Sequence, residues 1–176
     1  FMEVAAAADA GVEAVDLLAY YWKDEREEPE QARELIDDLG LELAAYAVGN
    51  NFVQPDASKM QQQVDYVRRG IEMAHRLEAP VMRVFGGHAP DMDKKEALKY
   101  AAEGLGRVLE EAEDAGVILA VENHGGVPGT AEEVLWLLSE LDSPWVGACV
   151  DVGNFIGAGD DPVEATSRVV GHAVHV

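Results

Sequence analysis

The chain has 176 residues, with 34 Asp and Glu against 13 Lys and Arg, which gives a formal net charge of −21 at pH 7. Hydrophobic residues make up 48% of it, as in globular proteins, and its one cysteine, Cys149, excludes a disulfide framework within the chain and any CxxC motif. So acidic a surface repels nucleic-acid phosphates, and no apolar run is long enough to cross a membrane, so we expect neither nucleic acid nor membrane as a partner.

Short apolar runs alternate with amphipathic helices along the chain. Gly or Pro near the end of the preceding helix marks the start of each of the first five runs. The predicted strands are Val12–Leu18, Leu41–Val48, Val81–Phe85, Val117–Val121, Trp145–Val150 and a last one that begins near His172.

Capping residues predict where three of the helices begin. Asp161 precedes a proline, which is favoured at the first position of a helix. Thr130 with Glu133, and Ser58 with Gln61, have the spacing of a capping box. We therefore expect helices to start directly after Thr130, Ser58 and Asp161.

The strands read as continuous apolar runs, clearest at Val117–Val121, and not as an apolar–polar alternation. Such runs indicate strands buried on both faces, hence a parallel sheet covered by helices. Residues 1–176 then form one α/β domain, either a closed (β/α)8 TIM barrel or an open doubly wound sheet. The absence of a glycine-rich phosphate motif after any strand disfavours the dinucleotide-binding form of the open sheet.

The number of strands is low for a complete barrel. The chain opens inside a predicted helix and stops within a predicted strand at Val176. An eight-stranded barrel usually needs about 250 residues, whereas this chain yields six strands. We therefore expect a fragment of a TIM barrel that lacks its first and last strands.

Polar side chains follow the predicted strands at the end where α/β proteins bind ligands. Glu122 and Asp151 each come directly after a strand, His88 follows another after two glycines, and His175 lies in the last strand. Carboxylates with an imidazole suit a divalent cation, and oxygen-rich ligation favours Mn²⁺ or Mg²⁺ over Co²⁺ or Zn²⁺. We predict a metal site here, with His88 and Asn154 as candidate substrate contacts.

Three other side chains allow two interpretations each. Arg83 lies inside an apolar strand, where it could contact an anion or form a structural ion pair. Trp22 and Phe52 follow strands, where they could stack on a sugar or pack within loops.

Taken together, the residues of this chain resemble a known family, the xylose isomerase-like TIM-barrel superfamily, and within it the sugar phosphate isomerase/epimerase group. The phrases that carry the resemblance are Glu122-Asn123-His124-Gly125-Gly126, Asp151-Val152-Gly153-Asn154 and Ala173-Val174-His175-Val176. Asp16 stands where the family's second strand more usually has Glu.

The resemblance implies a role for each matching residue. Glu122 matches the fifth-strand metal ligand, which also moves protons in sugar epimerases, and Asp151 matches the sixth-strand ligand. His175 belongs to the opening of an HxHxKD-like pattern, so the third ligand is either His175 or a His just after Val176. The family's fourth ligand, an eighth-strand Glu, has no counterpart here. The resemblance further suggests that Asn123 and His124 contact substrate hydroxyls, the alternative being hydrogen bonds within the loop.

The function that we expect is a metal-dependent sugar or sugar-phosphate isomerase or epimerase, which works through an enediolate with Glu122 as one proton-transferring group. Mn²⁺ is the expected metal, and a small-molecule sugar or sugar phosphate is the expected partner. The protein is expected to be cytoplasmic and could be a homo-oligomer. The alternatives are an inosose-type dehydratase, an apurinic endonuclease and a barrel without catalytic activity.

The acidic residues are dispersed along the chain and lysine is scarce. This composition resembles that of proteins from high-salt organisms, in which screening removes the repulsion between like charges. We therefore expect a salt-adapted protein, the alternative being an ordinary acidic cytosolic one.

Overall fold

In residues 2–176, which the computed structural model describes, eight α-helices and six β-strands alternate along the chain. The strands are β1 (Ala14–Leu18), β2 (Glu42–Ala47), β3 (Val81–Phe85), β4 (Ile118–Glu122), β5 (Val146–Cys149) and β6 (Ala173–His175). The helices are α1 (Met2–Asp9), α2 (Glu28–Asp38), α3 (Ala57–Arg76), α4 (Lys94–Gly106), α5 (Leu109–Ala115), α6 (Ala131–Leu141), α7 (Asn154–Ala158) and α8 (Pro162–Val169). All six predicted strands are confirmed, with ends shifted by up to two residues.

The six strands form one parallel sheet in the order β1-β2-β3-β4-β5-β6. Each strand pairs with its neighbour in sequence, as in a TIM barrel. In a doubly wound sheet the order of the strands instead reverses near the middle of the sheet. The sheet also curls, because Nε2 of His175 on β6 lies 2.8 Å from Oδ2 of Asp16 on β1. The predicted partial barrel is therefore confirmed, and the open sheet is wrong.

Two of the three predicted helix starts are confirmed. Thr130 and Glu133 form a complete capping box at α6, and Asp161 caps α8 through the N–H groups of Val163 and Glu164. The prediction at Ser58 is wrong, since α3 begins two residues earlier and its cap is Asp56. An Asp carboxylate serves as N-cap at least as well as a Ser hydroxyl, so the helix starts at the first suitable acceptor.

The core lies between the sheet and the helices that cover it. On β4, Leu119, Ala120 and Val121 are at most 1% exposed, as expected for a strand covered on both faces. The apolar stripe of α3, which includes Val64 and Val67, packs into the same core. This packing fixes the strands, and with them the side chains at their carboxyl ends.

The inner face of the curled sheet changes from apolar to polar along the strands. Side chains alternate along a strand, so Val81 and Arg83 of β3 share one face. Val81 packs with Ala45, Ala120 and Cys149 in a small cluster of buried residues. Arg83 lies one step further toward the carboxyl end, where the polar residues begin. No helix in the described part of the chain is long and apolar enough to span a bilayer.

Candidate active site

Glu122, the last residue of β4, is held through both of its carboxylate oxygens. Its side chain is 13% exposed, and Oε2 forms an ion pair with Arg83, whose Nε lies 3.1 Å away. Oε1 lies 3.0 Å from Nδ1 of His124 and 3.4 Å from Nδ2 of Asn154. These contacts fix the direction of the carboxylate at the carboxyl end of the strands, where TIM barrels have their active sites.

Arg83 forms the structural ion pair that was one of its two interpretations. Its Nη1 donates a hydrogen bond of 2.9 Å to the carbonyl oxygen of Val48, and its guanidinium lies 4.3 Å from the centre of the Phe85 ring. The opposing Glu122 charge offsets the cost of burying this cation. Arg83 therefore tethers Glu122 to the ends of two neighbouring strands.

Asn123 extends the pairing of β4 and β5 by one residue through its side chain. Its Nδ2 donates to the carbonyl oxygen of Asp151 at 2.8 Å, and the N–H of Asp151 donates to its Oδ1 at 2.9 Å. The residue is 1% exposed. The amide thus places Asp151, and Asn123 has the hydrogen-bonding role that was one of its two interpretations.

Asn154, at the start of α7, contacts the carboxylates of both Asp151 and Glu122. Oδ1 of Asp151 accepts a hydrogen bond of 2.9 Å from the N–H of Asn154. The side-chain amide of the same Asn154 reaches Glu122. The predicted residues Glu122, His124, Asp151 and Asn154 are therefore brought together at one edge of the sheet.

A cavity of about 500 Å³ lies inside the curl of the sheet, and we call it the carboxylate cavity. The ionisable side chains that line it are Asp16, Arg83, Glu122, Cys149, Asp151 and His175. Burial raises the pKa of the Cys149 thiol to about 12, and the Glu122 charge adds to the rise. The thiol therefore stays protonated at neutral pH and is a poor nucleophile there.

The donors around this cavity fit a divalent cation only in part. Glu122 and Asp151 offer carboxylate oxygens of the kind that Mn²⁺ and Mg²⁺ prefer. Nε2 of His175, the third predicted ligand, lies instead 2.8 Å from Oδ2 of Asp16. Within residues 2–176, no three His, Cys, Asp or Glu side chains lie close enough together to hold a metal ion.

The remaining candidates lie outside the carboxylate cavity. His88 is exposed and lines a second cavity, of about 380 Å³, which Asn154 also borders. Phe52 is fully buried, and Nε1 of the half-buried Trp22 donates to the Tyr46 hydroxyl at 3.1 Å. Both aromatic side chains thus have the packing role that was one of their two interpretations.

Sequence reasoning missed Asn50, whose side-chain amide joins β2 and β3 in the way that Asn123 joins β4 and β5. Its amide exchanges hydrogen bonds of 2.7 and 2.9 Å with the backbone of Phe85, and it is 3% exposed. An Asn soon after a predicted strand is common in turns, which hides this role.

A family model described as xylose isomerase-like TIM barrel matches residues 4–176. Among curated proteins, the chain is 29% identical over 150 residues to the 3-oxo-isoapionate decarboxylase of Pectobacterium atrosepticum, covering 81% of this chain and 47% of that protein. It is 26% identical to the inosose dehydratase of Geobacillus kaustophilus, covering 81% and 50%. It is 23% identical to a probable endonuclease 4 of Acholeplasma laidlawii, covering 80% and 51%. The chain thus spans about half the length of these relatives.

Solved structures show the same fold. A D-psicose 3-epimerase crystallised with D-fructose superposes with a TM-score of 0.81 at 17% identity, covering 96% of this chain and 63% of that one. A xylose isomerase domain protein from Planctomyces limnophilus gives a TM-score of 0.80 at 20% identity, covering 98% and 64%. At such identities the likeness shows the fold alone.

Proposed function

The chain belongs to the xylose isomerase-like TIM barrel family, and we propose that the protein is a metal-dependent sugar or sugar-phosphate isomerase or epimerase. The observation that carries the proposal is the position of Glu122, a carboxylate held on both oxygens at the carboxyl end of β4 beside a second carboxylate, Asp151. A base fixed in this way can remove a carbon-bound proton repeatedly from the same direction.

In the proposed reaction Glu122 takes the proton from the carbon next to the substrate carbonyl. The electron pair of that C–H bond moves into the new carbon–carbon double bond, and the carbonyl oxygen takes the negative charge of an enediolate. Return of the proton to the former carbonyl carbon, with transfer of the neighbouring hydroxyl proton to the first oxygen, gives an isomer. Protonation of the original carbon from its opposite face, which needs a second acid on that side of the substrate, gives an epimer. The product has the same formula as the substrate.

The neighbours of Glu122 have separate tasks in this scheme. Arg83 pairs with the carboxylate and orients it, while His124 and Asn154 offer polar groups to Oε1. When bound, a divalent cation supplies Lewis-acid stabilisation of the substrate oxygens. Glu122 and Asp151 would be two of its ligands, and it needs more donors than these two.

The first test is hydrogen exchange in the full-length protein. In D₂O with Mn²⁺ and a panel of ketoses and ketose phosphates, we expect deuterium at the carbon next to the carbonyl. Glu122→Gln should lower the exchange rate by about 10²–10⁴, the usual contribution of a general base. Glu140→Gln, the same change at an exposed site on α6, is the matched control and should exchange like the wild type.

Metal binding is measured on the same variants. Glu122→Gln and Asp151→Asn should each lower the Mn²⁺ content after dialysis, because each removes a charged ligand, whereas Glu140→Gln should not. Unchanged metal content in both variants would remove the proposed ligands.

A dehydratase is the second candidate, because the inosose dehydratase relative covers most of this chain. Dehydration also begins by removing a proton next to a carbonyl, but the enolate then expels a neighbouring hydroxyl as water. Mass spectrometry separates the two outcomes, since only a dehydratase gives a product lighter by one water. Cleavage of abasic DNA without exchange into any ketose would instead favour an endonuclease.

A further inference from the structure

Two cavities open side by side at the carboxyl end of the sheet, and Asn154 lies between them. Asn154 borders the 380 Å³ cavity, and its amide reaches Glu122 in the wall of the carboxylate cavity. The loop Gly125–Gly126, which directly follows the Glu122-Asn123-His124 segment, lines the smaller cavity as well. Asn154 and the segment 122–126 thus connect the proposed catalytic carboxylate with the second cavity.

The two cavities differ in the acidic residues that line them. The carboxylate cavity is lined by Asp16, Glu122 and Asp151, whereas the residues of the described chain that line the smaller one include no Asp or Glu. Its ionisable side chains are His88 and Lys94. Because 34 of 176 residues are acidic, an acid-free wall is unusual for this chain. We call this the acid-free cavity.

Glycines keep the acid-free cavity open and its walls fixed. Gly87 and Val127 exchange backbone hydrogen bonds of 3.0 and 2.9 Å, which joins the loops after β3 and β4. Gly87 has a φ of +134°, and a Cβ at Gly126 would overlap the carbonyl oxygen of Gly87. The backbone thus forms much of the wall, which leaves room for a group of the substrate.

Lys94, at the start of α4, forms an ion pair that it can exchange for one with a ligand. Its side chain is 60% exposed, and Nζ lies 3.4 Å from Oε1 of Glu133, which is only 14% exposed. The other oxygen of Glu133 accepts hydrogen bonds from the N–H groups of Gly129 and Thr130. Glu133 therefore keeps partners when Lys94 moves, so Lys94 can pair with an anion without leaving a buried charge alone.

We propose that the acid-free cavity binds an oxyanion group, a phosphate or a carboxylate, at the far end of the sugar whose carbons react at Glu122. The inference rests on the proposed function and narrows its substrate to anionic sugars. The described residues of the cavity wall include no carboxylate to repel an anion, and Lys94 can exchange its ion pair with Glu133 for one with that anion, while His88 offers a further hydrogen-bonding group.

The direct test uses inorganic phosphate as the probe and does not depend on turnover. Calorimetry on the full-length protein, with EDTA present so that no metal holds the phosphate, gives its Kd at constant ionic strength. Lys94→Met should weaken binding about tenfold, the loss of one charge-assisted hydrogen bond. His88→Gln should also weaken it, while Lys95→Met, with the same change in net charge on the same helix, should alter Kd less than twofold. Absence of phosphate binding, or an equal effect of Lys94→Met and Lys95→Met, overturns the proposal.

Substrate kinetics then separate the sources of the oxyanion. A ketose phosphate, the matching unphosphorylated ketose and a keto sugar acid are compared in the wild type and in Lys94→Met. A rise in KM confined to the phosphate identifies a phosphate group, and one confined to the acid identifies a carboxylate. If no sugar reacts but phosphate binding still depends on Lys94, the proposed function fails and the anion site stands. If the neutral ketose reacts as well as both anions and Lys94→Met affects none of them, the anion site fails.

Discussion

Asn123 and Asn50 each use a side-chain amide in place of a backbone peptide group. Each one donates to a carbonyl and accepts from an N–H at or just after the end of the next strand, so that the two strands are joined beyond their last paired residues. A buried amide with both groups satisfied fixes geometry strongly, because any displacement leaves polar atoms without partners. At Asn123 the residue held in this way is Asp151, one of the two proposed metal ligands.

We predict that Asn123→Ala and Asn50→Ala each lower the free energy of unfolding by about 1–3 kcal/mol, since each leaves a buried N–H and carbonyl unpaired. Only Asn123→Ala should also lower kcat and Mn²⁺ binding, because the bonds of Asn50 end at Phe85 and do not reach Asp151. Urea denaturation and the exchange assay measure the two effects. Equal losses of activity in both variants would show that Asn123 acts through stability alone.

At the scale of the element, α4 is positioned by a helical glycine. Phe52, fully buried in the loop after β2, lies directly against Gly104, where a Cβ would overlap its ring. Gly106, two residues later on the same helix, is exposed and has no neighbour closer than 3.9 Å to such a Cβ. Gly104 thus lets α4 approach the sheet, and α4 in turn carries Lys94 at its other end.

The two glycines make a matched pair of substitutions with opposite expected signs. Gly104→Ala should destabilise the protein by about 1–3 kcal/mol, because an added methyl group has no room beside Phe52. Gly106→Ala should instead stabilise it by up to about 1 kcal/mol, since alanine is the better helix former. Thermal and urea unfolding of both variants measure the difference. A stabilised Gly104→Ala would mean that Phe52 moves aside at little cost.

At the scale of the whole molecule, charge opposes folding. A net charge of −21 on a chain of this size repels itself in the compact state more than in the unfolded one. The ion pairs that the structure forms, such as Arg83–Glu122 and Arg68–Glu111, involve few of the acidic residues because basic residues are scarce. We therefore expect dissolved salt to screen the repulsion that these few ion pairs leave.

We predict that the melting temperature rises as KCl is increased from low to molar concentration. Each kcal/mol of relieved repulsion is worth about 2–4 °C in a protein of this length. Tetramethylammonium chloride at equal ionic strength is the control, because simple screening does not depend on which monovalent cation provides it. A melting temperature that stays flat or falls would contradict the expectation of salt adaptation.

The strands and helices could be predicted from local sequence patterns, and the tertiary structure agrees with these predictions. Continuous apolar runs, helical stripes and caps such as Thr130 each report on a few neighbouring residues, and these patterns were sufficient to predict six strands and a parallel α/β fold. Even the error at Ser58 is local, since Asp56 offers a competing cap two residues earlier. The position of Glu122 and Asp151 at the same edge of the sheet could also be predicted, because the carboxyl ends of parallel strands all lie at one edge.

Contacts between residues far apart in sequence were decided by the tertiary structure alone. The curl of the sheet brings His175 to Asp16 across 159 positions, although both the pattern and the resemblance had suggested a metal for His175. The strand register decided that Arg83 pairs with Glu122, and burial decided that Asn123 faces the backbone of Asp151. The acid-free cavity is a property of the same kind. Its lining comes from three separate segments of the chain, and the lack of a carboxylate among its described residues depends on how these segments pack together. No local sequence pattern predicts that packing.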